Sequence, residues 1–128
     1  MNLIEDLQKH VNDDNILYIY ELSHIIIDEK ITTLDELEQN EKDYNRVNGQ
    51  EFSMDESIKR WIDLIDTYPY EFDGLSISET KKLDEERKLM NTESMNDKIL
   101  HLVKYFCLTK RDNPFPYQTY KFIIEGKL

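Results

Sequence analysis

The chain contains no alanine, one cysteine, three glycines and three prolines among its 128 residues, and each scarcity removes a class of protein. A single thiol, Cys107, forms no internal disulfide, which excludes a disulfide-stapled secreted framework and leads us to expect a reducing compartment, the cytoplasm of a bacterial host cell. Gly49, Gly74 and Gly126 leave few places where backbone could cradle a phosphate closely. Phosphate-loop, dinucleotide-fingerprint, serine-hydrolase-elbow and paired-cysteine zinc patterns are absent from the sequence. No apolar run approaches the roughly 20 residues of a membrane span. The start, MNLIEDLQKH, has acids where a signal peptide needs a basic start and a long apolar core, so neither secretion nor a membrane partner is expected. Repeats and Pro/Gly/Ser-rich linkers are lacking too, which predicts a single domain over 1–128.

Isoleucine, asparagine, lysine, tyrosine and the acids are abundant instead. Their codons are AT-rich where alanine codons are GC-rich, so the composition points to an AT-rich genome such as a phage or mobile element of a low-GC bacterium. Charge is the other abundance: 27 acidic against 16 basic side chains give a formal net charge of −11. Such a surface repels nucleic acid and anionic lipid and attracts basic surfaces. Residues 1–64 hold 16 acids and 6 bases, a net of −10, whereas 65–128 hold 11 acids and 10 bases, a net of −1. The first half is acidic; the second is near neutral and aromatic-rich.

Apolar spacing predicts mainly α structure, a compact bundle of about five helices, with a small C-terminal β-element as the α+β alternative. Asn2 precedes Leu3, Ile4, Leu7 and Val11 at helical spacing. Asp13 and Asp14 offer capping oxygens before NILYIYELSHIII, a segment so apolar that a buried helix is favoured over a strand. Thr33 and Glu36 have capping-box spacing ahead of a thin stripe of Leu34, Leu37, Tyr44 and Val47, closed by Asn48-Gly49. Ser53 and Glu56 repeat that spacing before Ile58, Trp61, Ile62 and Ile65, the expected central helix, stopped by Tyr68-Pro69-Tyr70. A loop with a turn at Asp73-Gly74 comes next. A charged helix around SETKKLDEERKLM follows, then one starting at Ser94 with Ile99, Leu102, Val103, Phe106 and Cys107 buried. Asp112-Asn113-Pro114 breaks the chain, and the tail PFPYQTYKFIIEGKL reads as an edge strand.

Candidate chemistry is thin. His10, His24 and His101 lie on different elements, and only His24 with Asp28 has i, i+4 spacing, short of the three or four ligands zinc takes. Cys107 reads as a small core hydrophobe. Asp63, Asp66, Glu71 and Asp73 could approach a divalent cation but lack the calcium-loop pattern. Neither a catalytic residue, a metal site nor a cofactor is assigned. Lys104, Lys110, Arg111 and Lys121, interleaved with Tyr117 and Tyr120, form a weak nucleic-acid pattern that the net charge opposes. Asp112 with Glu125 and Lys127 at the end of FIIEGKL superficially resembles restriction-endonuclease-like nucleases, in which an aspartate and a strand ending in acid-x-lysine hold a metal. That resemblance covers the last 17 residues, implies a terminal strand, and carries over no function.

The expected function is therefore binding, not catalysis. Asp35, Glu36, Glu38, Glu41 and Asp43, joined by Glu51, Asp55 and Glu56, are the candidate acidic face. They would mimic a line of phosphates on a protein with a basic nucleic-acid-binding surface, as an inhibitor of anti-CRISPR or other anti-defence type would. The alternatives are an immunity protein or antitoxin neutralising a basic toxin nuclease, and a metal-dependent hydrolase.

Overall fold

Helix-start chemistry and apolar spacing build seven helices among the described residues: α1 (Leu3–Gln8), α2 (Ile16–Asp28), α3 (Leu34–Tyr44), α4 (Met54–Thr67), α5 (Ile77–Leu89), α6 (Met95–Leu108) and α7 (Pro116–Ile124). They are seen in a computed structural model that describes residues 2–46, 53–67, 77–89, 94–109 and 113–128. The protein is mainly α, as the spacing predicts, and contains no strand among the described residues. Its helices divide between two compact units, Met1–Gln50 with Pro114–Leu128, and Glu51–Asn113.

In the first unit α7 packs on α1, α2 and α3. Leu3, Leu7, Ile19, Leu22, Ile26, Ile31, Leu37, Tyr120 and Ile123 form its apolar core. Asn2 caps α1 by accepting the Ile4 N–H at 2.9 Å. The N-cap of α2 is Asn15, not Asp13 or Asp14, and its side chain is used elsewhere. Buried Asn15 donates from Nδ2 to the carbonyls of His10, at 2.9 Å, and Leu128, at 3.1 Å, tying the start of α2 to the end of α7. Asn12 supplies the turn instead, accepting the backbone N–H groups of Asp14 and Asn15. At the other end Lys30 takes a left-handed φ of 54° while Ile31 N–H reaches back to Ile26 O at 2.9 Å. A hydrogen-bonded helix stop thus holds a lysine where glycine is the usual residue.

Residues 116–124 are helix, which corrects the strand expected for the tail. Pro116 occupies the first turn, where its fixed φ suits a helix and its missing N–H costs nothing. Phe115, Thr119, Tyr120 and Ile123 then fall on one buried face, and that burial outweighs the β preference of the residues themselves. Gly126, at φ 77°, ends α7 as Lys127 N–H returns to Phe122 O at 2.8 Å.

In the second unit α6 packs on α4 and α5. Ser94 caps α6, and Ile99, Leu102, Val103, Tyr105 and Phe106 are buried along it. Ile58 and Ile65 bury the inner face of α4, and Leu83 does so for α5. Trp61 is half-buried and meets Phe106 edge to face, with centroids 5.3 Å apart, while the Arg60 guanidinium lies over the indole. Cys107 is half-buried too and not part of the buried face expected of it, whereas Tyr105 is buried. Among the described residues no helix is long and apolar enough to cross a membrane.

Candidate functional site

α3 begins where Thr33 accepts the Glu36 N–H at 3.2 Å. The Glu36 carboxylate reaches back one residue further than a capping box requires, taking the Thr32 N–H at 2.9 Å and its hydroxyl at 3.1 Å. With its entry fixed in this way, the helix turns Leu37 inward and leaves Asp35, Glu36 and Asp43 exposed and Glu38 half-exposed. From Asp35 to Asp43 the acidic outer face is roughly 12 Å long at the α-helical rise. Two cations temper it: Lys42 pairs with Glu38 at 3.3 Å and Arg46 with Asp43 at 3.1 Å. Gln39 also donates to Asp43, at 2.9 Å, so these carboxylates are held in place by their own helix.

Glu41 is not part of that surface, which corrects its place in the expected acidic face. It is only 2% exposed. Leu34, Leu37, Glu41 and Tyr44 follow 3-4-3 spacing, so Glu41 sits in register with the apolar stripe and the helix carries it inward. There it meets the first turn of α7, whose N-cap Phe115 makes no side-chain capping bond. The Gln118 backbone N–H donates to Glu41 Oε1 at 3.2 Å, so α3 supplies the capping acceptor that the α7 N-terminus lacks. Burial pushes the Glu41 carboxyl up to about 7, against the opposing pull of donors from Gln118 and Tyr117. One turn on, buried Asn45 donates to the carbonyls of Glu41, at 2.8 Å, and Pro114, at 2.6 Å. The pair is a latch between α3 and α7.

Of the remaining expected face, Glu51 lies outside the described residues, and Asp55 and Glu56, both exposed, open α4 in the second unit. Glu71, Asp73, Lys110, Arg111 and Asp112 also lie outside them, with the expected stops at Asn48-Gly49 and Tyr68-Pro69-Tyr70 and the turn at Asp73-Gly74. Among the described residues no group of three or more His, Cys, Asp or Glu is placed to hold a metal. His24 meets Tyr20 edge to face at 4.5 Å, and His101 Nδ1 lies 2.6 Å from Glu86 Oε2, joining α6 to α5. The tail pattern of Glu125 and Lys127 follows a helix, and the two side chains pair with each other at 3.4 Å, so the strand that the nuclease resemblance implies is missing. Tyr120 is buried, and that burial, with the Asp6 carboxylate 3.5 Å from its hydroxyl, raises the pKa of its phenol. It is not presented for stacking on a base.

One surface escaped the sequence reading. α2 buries Ile19, Leu22 and Ile26 but leaves Ile16, Leu17, Tyr20 and Ile27 between 53% and 64% exposed. At 100° per residue these four fall on one arc with exposed His24. Beside it lies a cavity of about 390 Å³ whose lining includes Leu3, Ile4, Ile26, Ile27, Lys30 and Ile31. Ile27 belongs to both. The density of NILYIYELSHIII was the available signal: a helix apolar all round exceeds what one inward face can bury. Comparison with protein-family models, curated proteins and solved structures finds no match for the chain.

Proposed function

We propose that this protein is an acidic, protein-binding inhibitor that occupies the basic nucleic-acid-binding surface of a partner enzyme, in the manner of anti-CRISPR and other anti-defence proteins of phages and mobile elements. One observation carries the reading: α3 folds Leu37 and Glu41 inward and leaves Asp35, Glu36, Glu38 and Asp43 spread across its broad outer face. Carboxylates already held by Thr32, Gln39, Lys42 and Arg46 lose little side-chain freedom on binding. Complementary charge speeds association with a basic partner and makes it salt-sensitive. The net of −11 acts in the same direction at longer range.

The test is cross-linked capture from the source cell, then competition of the captured protein with duplex DNA. Binding is expected to weaken between about 50 and 500 mM salt as screening shortens the range of the field, and DNA should displace the chain. Combined Asp35→Lys, Glu38→Lys and Asp43→Lys should weaken binding about tenfold or more with the helix content unchanged. Simultaneous binding of DNA and this protein, or unaltered affinity in the folded triple variant, rejects the proposal.

A further inference from the structure

The exposed arc of α2 and its neighbouring cavity form one apolar surface, joined at Ile27, on a protein that is otherwise heavily charged. Contiguous exposed apolar area of this kind marks a site of interaction. We propose that this surface docks an amphipathic helix of a protein partner, apolar on the facing side and basic along its edges. The proposal rests on the reading of the partner as a basic protein and names the segment that the first unit would grip.

Charge at both ends of α2 selects this occupant. Asp13 and Asp14 stand exposed before the helix, and Asp28 and Glu29 stand exposed at its end, followed by Lys30. A second copy would set acids against acids in either orientation: antiparallel pairing brings Asp13 and Asp14 to Asp28 and Glu29, and parallel pairing brings each cluster to itself. Anionic lipid meets the same repulsion. A helix with lysine or arginine flanking its apolar stripe meets opposite charge at each end, and the row from Ile16 to Ile27 gives it roughly three turns to lie against. The cavity beside Ile27 has the volume to accept an anchoring side chain, and Leu3, Ile4 and Ile31 give it an apolar lining.

A helix-stapled synthetic peptide of about fourteen residues, leucine on one face and lysine on the other, serves as the probe, with a leucine/glutamate peptide of the same pattern as control. Fluorescence anisotropy on the full chain should show binding of the first and none of the second. Leu17→Asp and Tyr20→Asp replace exposed side chains, so far-UV circular dichroism should stay unchanged while peptide affinity falls at least tenfold. The α3 triple reversal should alter it by less than threefold. Equal binding by the glutamate peptide, or undiminished lysine-peptide binding by the folded Leu17→Asp and Tyr20→Asp variants, overturns the proposal. So does concentration-dependent dimerisation in sedimentation that those same substitutions abolish, which would make a second copy the occupant. Peptide binding that depends on Leu17 and Tyr20 supports the docking surface even where DNA fails to compete in the capture experiment, a result that rejects only the inhibitor reading.

Discussion

Within each of the two units a different kind of contact holds the helices. In the first, buried polar side chains reach across long stretches of chain: Asn45 to Pro114 over 69 residues, Gln118 to Glu41 over 77, and Asn15 to Leu128 over 113. In the second, the centre is aromatic and aliphatic, with Trp61, Phe106 and Tyr105 in edge-to-face pairs. Between α5 and α6, His101 also meets Glu86 across 15 residues, in a contact that stays partly open to solvent. A buried polar contact is unforgiving, because losing one partner strands the other away from water, whereas an apolar contact loses stability in proportion to the atoms removed. Charge separates them as well. The first unit has 13 acids and 6 bases, a net of −7, and the second 14 acids and 10 bases, a net of −4. The steep contrast between halves of the sequence is therefore milder between the units, since residues 51–64, with 4 acids and 2 bases, fall in the second unit and 114–128, with Lys121 and Lys127 against Glu125, join the first.

Four measurements would break or sharpen this comparison. Phe115→Ala, at a fully buried position of the first unit, should cost roughly 3–5 kcal/mol. Trp61 is the protein's one tryptophan and lies in the second unit, so its fluorescence reports that unit while circular dichroism reports both. The dichroism midpoint should fall further than the fluorescence midpoint; identical shifts would show that the units unfold as one and would dissolve the contrast.

Glu41 makes the first unit sensitive to pH. Its folded carboxyl, raised by burial to about 7 from an ordinary 4.5, binds a proton more tightly than in the unfolded chain. Its contribution is fully present below the unfolded value and is lost as pH climbs through the folded one, a loss of roughly 3 kcal/mol by linkage. Denaturant titrations at about pH 5 and pH 8 should show this fall in the wild type and a flatter profile in Glu41→Gln. An equal slope in both proteins would remove Glu41 as its source.

Asn45→Ala should cost roughly 1–3 kcal/mol, because it takes the side-chain donor from the buried Pro114 carbonyl and leaves the Glu41 carbonyl only its helical backbone bond. The effect should again be larger in dichroism than in Trp61 fluorescence. The smallest change is expected of Thr33→Ala, about 1 kcal/mol from loss of the α3 cap. A cost near that of Asn45→Ala would show that the helix entry, and not the latch at its far end, governs how firmly α3 is held.

Much of the fold was legible in local chemistry. Thr33 and Ser94 cap where their spacing said they would, and the buried faces of α4 and α6 follow the periodicity of Ile58, Ile65, Ile99, Leu102 and Phe106. The tail was misread because Phe122, Ile123 and Ile124 favour a strand when no partner is in view; contact with α1, α2 and α3 reverses that preference. The candidate site was legible in part. Asp35, Glu36 and Asp43 are exposed and Glu38 is half-exposed, but counting acids gave no reason to set Glu41 apart, although its register with Leu37 and Tyr44 did.

The sequence by itself determined where helices begin, which faces are apolar and how much charge the protein carries, because caps, periodicity and ionisation depend on residues within a turn or two of one another. Tertiary structure alone decided that α7 completes the N-terminal unit, that the buried Glu41 carboxyl serves as an acceptor at the α7 N-terminus, and that α2 keeps one apolar face uncovered. Each of those depends on which distant segment arrives at a helix face. A small chain with more apolar surface on α2 than one side can bury leaves the remainder exposed, and periodicity within α2 does not say which arc that will be.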